Sequence, residues 1–217
     1  MQSRSNGFTL IEIAIVLVII GLLLGGVLKG QEMINSAKVK NLASDFNNVP
    51  LYLNLYQDKF KALPGDDAAA TTHLLATASA GNGNGSIDGI WKPTATTDES
   101  AIFWQHIRLA NLAPGSTVVA IAAGNTFIPQ NTLGGAIGIS SLANSPISGL
   151  RGSYVVCSDA IPGKLAQQID IAIDDGVSNT GAVQLISAGS IALAGTATTP
   201  AILAANADAN YLVCMSH

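Results

Sequence analysis

Hydrophobic and polar positions along the chain fall into three patterns. From Phe8 to Leu28 run 21 residues of nearly unbroken apolar character, in which Glu12 is the only charge. At about 1.5 Å rise per residue such a run makes a helix of roughly 30 Å, the thickness of a bilayer core. Beyond Lys29 the period changes. Ile34, Leu42, Phe46, Val49, Leu53, Tyr56 and Phe60 draw one stripe at helical spacing. The stripe predicts an amphipathic continuation over 29–61. Pro50 should kink it or leave one carbonyl unpaired, and "ALPG" (Ala62 to Gly65) should end it.

The third pattern, over 62–217, is shorter in period and richer in turn formers. A short helix is expected around Ala68 to Ala76, then the glycine-rich loop "GNGNGSIDG". "DESAIFWQHIRLANLAPG" predicts a helix capped near Asp98 and stopped by Pro114-Gly115. Ile102, Phe103, Ile107 and Leu109 should face the core, with Trp104 at its margin and His106 on or near the surface. The runs "STVVAIAA", "GGAIGIS", "GSYVVC", "AVQLIS" and "NYLVCMS" alternate or cluster apolar residues between turn formers and predict an antiparallel sheet. Residues 165, 169 and 173 mark a helix stripe, whereas 169, 171 and 173 would alternate in a strand. The Ala/Thr/Gly tract from Ala188 to Ala209 reads as surface loops.

Charge narrows the function classes. From Ala62 onward four basic residues (Lys92, Arg108, Arg151, Lys164) stand against ten acidic ones. An acidic, aromatic-poor body has no basic patch for phosphates, so no nucleic-acid partner is expected. His73, His106 and His217 sit in no metalloprotease pattern, and neither a G-x-S-x-G elbow nor a phosphate-binding glycine loop is present. No catalytic residue is assigned and the protein is read as a non-enzyme.

The carboxylate at Glu12 carries the most specific signal. A signal peptide would have a shorter apolar run and a small-residue cleavage site, whereas "GGVLKGQEM" offers none. A plain membrane anchor with Arg4 inside explains the length but not an acid that costs free energy in a membrane. "G-F-T-L-I-E", Gly7 to Glu12, resembles the processing site of type IV prepilins and type II secretion pseudopilins. The resemblance implies a leader from Met1 to Gly7, removal of it by a membrane prepilin peptidase, and N-methylation of the new terminal Phe8. It also implies that Glu12, one turn from the Phe8 amine, neutralises that amine or a neighbouring subunit's during assembly. In low-dielectric surroundings such a pair attracts more strongly than in water. Gly21, Gly25 and a residue near position 29 share a helix face, either for close helix approach or simply because glycine is common in membrane helices.

The implied architecture is α+β and pilin-like: a leader (1–7), a transmembrane or filament-core helix (8–28), its amphipathic continuation (29–61), and an exported head (62–217) with an antiparallel sheet. The implied role is a structural subunit, major or minor, of a type IV pilus-like filament. A type II secretion pseudopilin or a membrane-anchored adhesive module are the alternatives. Partners would be copies of the chain, other pilin-like subunits, the prepilin peptidase and an inner-membrane assembly platform. The chain would wait as a single-pass inner-membrane protein with its head in the periplasm, then enter a surface pilus or a periplasmic pseudopilus.

The head offers two further features. Cys157 and Cys214 belong to no C-x-x-C or Cys/His cluster. In an exported head they would pair as a disulfide, stabilising by roughly 4 kcal/mol through loop closure, two buried thiols being the alternative. No cofactor is required. Some pseudopilins bind calcium, however, and two places offer oxygen donors. Asn82, Asn84, Ser86 and Asp88 alternate as in a calcium loop, though without an acid at the first or twelfth position. Asp170, Asp174 and Asp175 lie in "IDIAIDDGVSNTGAV", which resembles the "iDxxxDDGxPxtGxv" segment of one group of pilin-like proteins, with Ser178 in place of its proline. That likeness favours a helix ending at Gly176, the acids either binding a cation or forming a structural turn.

Overall fold

Val39, Leu42, Phe46, Val49, Leu53 and Tyr56, at spacings of three and four, are the buried residues of the N-terminal helix α1 (Leu10–Phe60). The computed structural model describes residues 9–122, 127–187 and 209–217. It forms two units, 1–38 and 39–217. In the first, every described large apolar side chain from Leu10 to Leu28 is exposed, as is Ile34, which the sequence stripe had placed inward. α1 continues through Pro50, where the Phe46 carbonyl loses the donor it would otherwise receive.

In the second unit the described residues add α2 (Ala70–His73), α3 (Glu99–Leu109), β1 (Ile137–Ser141), β2 (Tyr154–Pro162), α4 (Gly163–Ile173), β3 (Val183–Ser187) and β4 (Asn210–Ser216). The strands form one antiparallel sheet in the order β1-β2-β4-β3. The C-terminal strand is thus inserted between β2 and β3, which are linked in sequence through α4.

Alternation along the strands divides the interior into two layers. Ile137, Ile139, Val156, Val213, Met215, Val183 and Leu185 face the same core as the buried stripe of α1, with Phe103 and Ile107 of α3 and Leu165 and Ile169 of α4. Val155, Cys157, Ile186, Leu212 and Cys214 face the opposite layer, closed by Trp91, Ile147 and Leu150. Gly138 permits this closure, since a Cβ there would overlap the Trp91 carbonyl. Cys157 and Cys214 are direct partners in the β2–β4 register and are joined as a disulfide.

Several boundaries differ from the sequence reading. Residues 116–122 of the expected strand "STVVAIAA" form no strand. The Thr117 carbonyl is taken by Gln105 and the Ser116 carbonyl by Arg108, so side chains of α3 occupy groups that a ladder would need. Trp104, expected at the core margin, is buried and meets Phe103 edge to face. Leu109, expected inward, is half-buried. The early helix contracts to Ala70–His73, and α4 stops at Ile173 rather than Gly176. Asp98 precedes α3, but its carboxylate accepts the N–H groups of Thr94 and Ala95 upstream instead of capping the helix. The tract assigned to loops at 188–208 lies outside the described residues.

Candidate functional site

The N-terminus of α1 explains how an acid is accommodated there. Glu12 Oε2 accepts the Thr9 backbone N–H at 2.8 Å and the Thr9 hydroxyl at 2.7 Å, while Thr9 Oγ1 accepts the Glu12 N–H at 3.3 Å. This is a reciprocal capping box, satisfying helix-terminal donors that have no intrahelical partner. "T-L-I-E" has the S/T-x-x-E spacing, so the signal was present in the sequence. Gly7 and Phe8, the expected cleavage and methylation residues, lie outside the described residues. From Leu10 the helix is apolar and long enough to cross a membrane by length and composition. Lys29 and Glu32, paired at 2.7 Å and both exposed, mark where charge returns.

Residues 2–28 match the family described as "Prokaryotic N-terminal methylation motif". The chain carries the signal motif of type IV pilins and pseudopilins. No curated protein and no solved structure matches the chain. The motif implies assembly with other pilin-like subunits and points to a structural subunit rather than an enzyme. With its apolar helix it fits membrane anchoring before assembly.

In the second unit, polar groups near the end of α1 are tied together. Tyr56 donates its hydroxyl to Asp67 Oδ2 at 2.7 Å, His73 Nδ1 lies 2.7 Å from the same oxygen, and Asp67 Oδ1 accepts the Ala69 N–H. Burial pushes the Asp67 carboxyl up, but its bonds to His73, Tyr56 and Ala69 outweigh that and lower it. His106, expected near the surface, is fully buried. Its Nδ1 accepts the Gly65 N–H at 3.0 Å and its Nε2–H donates to the Ser79 carbonyl at 2.6 Å, which fixes the neutral tautomer. Its ring also stacks on Tyr56. Burial holds the imidazole below the ordinary histidine value, against the Ser79 bond and the Asp67 charge. These histidines hold chain segments together. His217 likewise stacks on Tyr154.

The loop over 81–89 is organised by two acids that sequence reasoning did not single out. Asp66 accepts the N–H groups of Asn84 and Gly85, and Glu99 accepts those of Asn82 and Asp88. Burial raises the Glu99 carboxyl; the two N–H bonds oppose this and the Asp66 and Asp88 charges reinforce it. Three of the four expected calcium donors here, Asn82, Asn84 and Asp88, are already engaged. Asn82 Oδ1 and Asn84 Oδ1 accept the N–H groups of Asn84 and Ser86, and both side-chain NH2 groups point at Asp88. A loop presenting donors to carboxylates does not suit a cation.

The second acidic set is different. Asp170, Asp174 and Asp175 place one carboxylate oxygen each within 4.8 Å of one another. Asp174 accepts the Val183 N–H at 2.9 Å, and Asp175 accepts the Val177 N–H and the Thr180 hydroxyl. These bonds keep the Asp175 carboxyl low. Asp170 is fully buried on the core-facing stripe of α4, and neither oxygen has a hydrogen-bond partner. Burial first, then the charges of Asp175 and Asp174, raise its pKa to about 6; the nearby Gly176 N–H opposes this without reaching hydrogen-bonding geometry with either oxygen.

Proposed function

We propose that the chain is a structural subunit of a type IV pilus-like filament, entering it after loss of the Met1–Gly7 leader and methylation of Phe8. The match of residues 2–28 to the methylation motif carries this reading. Three features of the described residues support it. The apolar side chains of α1 from Leu10 to Leu28 are exposed, a surface that needs a lipid or protein environment. The capping box lets Glu12 stay satisfied within one chain until a partner amine competes for it. A buried disulfide fits a head folded in an oxidising compartment.

Shearing surface filaments from cells and sequencing the material by mass spectrometry tests the proposal. A peptide beginning at methylated Phe8, abundant in the sheared fraction, is the expected result. A chain that keeps Met1–Gly7, or that is confined to membranes after processing, would overturn it.

A further inference from the structure

A carboxylate on a buried helix stripe is costly unless something compensates its charge, because desolvation penalises the ionised form. Asp170 occupies such a position in α4, among Leu165, Ala166 and Ile169. Its two oxygens are buried without a partner, and the acids nearest it, Asp174 and Asp175, carry the same sign. None of the ion pairs among the described residues involves any of the three. Asp174 accepts one N–H and each oxygen of Asp175 accepts one bond, which leaves lone pairs open on both, and one oxygen of each lies within 4.8 Å of Asp170.

We infer that Asp170, Asp174 and Asp175 form a calcium site that fastens the end of α4 to the loop entering β3. The donor set is all oxygen, which selects a hard cation. Oxygens spread over as much as 4.8 Å suit an ion with bonds of about 2.4 Å, within the calcium range. Magnesium, at about 2.1 Å in a strict octahedron, would require a tighter cluster. Calcium's remaining positions take water or loop carbonyls, its coordination being flexible at six to eight oxygens. The ion joins α4, the turn that follows it and β3. Asp170 belongs to α4, Asp175 holds the turn at Val177 and Thr180, and Asp174 holds Val183, the first residue of the edge strand β3.

This inference does not depend on the filament reading and is tested separately, on the full chain purified in detergent micelles. After treatment with EDTA, thermal unfolding is followed by tryptophan fluorescence while calcium chloride, or magnesium chloride in parallel, is added. Calcium at or below about 1 mM should raise Tm by at least roughly 3 °C, by preferential binding to the folded state, with a smaller magnesium effect. Asp170→Asn should match or exceed the EDTA-treated wild type in Tm, since it removes a buried charge, and should lose the calcium response. Asp175→Asn, at an exposed position, should lose most of it too, and keeps the test decisive if Asp170→Asn does not fold. No calcium shift in the wild type up to 5 mM (about five times the stated ceiling), or a shift kept by both variants, would overturn the site and leave Asp170 as a buried structural residue.

Discussion

Replacing His106 by leucine should destabilise the head and remove part of its sensitivity to acid. The imidazole is fully buried between two segments, accepting from Gly65 N–H and donating to the Ser79 carbonyl. Leucine leaves both backbone groups buried without partners, at about 1–3 kcal/mol each. A total near 3–4 kcal/mol corresponds to a fall in Tm of roughly 10 °C for a domain of this size. The pH dependence follows from the lowered pKa of His106. In the unfolded chain the ring titrates at its ordinary value near 6.5; in the folded chain it stays neutral to lower pH. Between those two values the unfolded state binds more protons, so stability rises with pH. The contribution is therefore complete above about 6.5 and is lost as pH falls from there through the folded value, by at most about 1.4 kcal/mol per pH unit. Protonation would also put an N–H at Nδ1, facing the Gly65 N–H. Thermal unfolding of wild type and His106→Leu between pH 8 and pH 5 reads both effects. His217 is also held low by burial, so the wild-type slope contains its share. The difference between the two proteins isolates His106. A variant as stable as wild type at pH 8, or one with an unchanged slope below pH 6.5, would refute this account.

Other consequences are as direct. Glu12→Ala should leave membrane insertion and leader cleavage intact but sharply reduce sheared filament yield. Thr9→Ala breaks the same capping box while keeping the acid, so equal loss in both would mean that Glu12 acts only as a helix cap. Cys157→Ala with Cys214→Ala should cost about 4 kcal/mol by the loop-closure argument, for cysteines 57 residues apart, seen as a lower denaturant midpoint. Asp66→Asn should weaken two charge-assisted bonds to the 81–89 loop, by about 1.5–3 kcal/mol each at most. Hydrogen exchange at Asn84 and Gly85 should accelerate accordingly, and unchanged protection would show that Glu99 alone holds the loop.

Features set by neighbours along the chain could be read in the sequence. The stripe from Leu42 to Tyr56 was legible because a helix converts spacing directly into a face, whatever surrounds it. The same holds for the apolar run after Phe8 and for the four residues of the capping box. Four of the five strand runs were found because alternation survives when each sheet face meets its own apolar layer. α3 was misread for the converse reason. Loops cover it on several sides, so Trp104 and His106 are buried where a one-sided helix would expose them, and the Gly65 and Ser79 groups that make His106 acceptable lie 41 and 27 residues away. The expected strand at 116–122 failed similarly, because Gln105 and Arg108 took its carbonyls. Placement of β4 between β2 and β3, which brings Cys214 beside Cys157, joins residues far apart in sequence and has no local signature. Sequence alone thus determined the N-terminal signal and its helix, since covalent order and helical period are local. Only the tertiary structure decided which polar side chains are buried and what each one holds, because burial depends on segments that meet only when the chain folds.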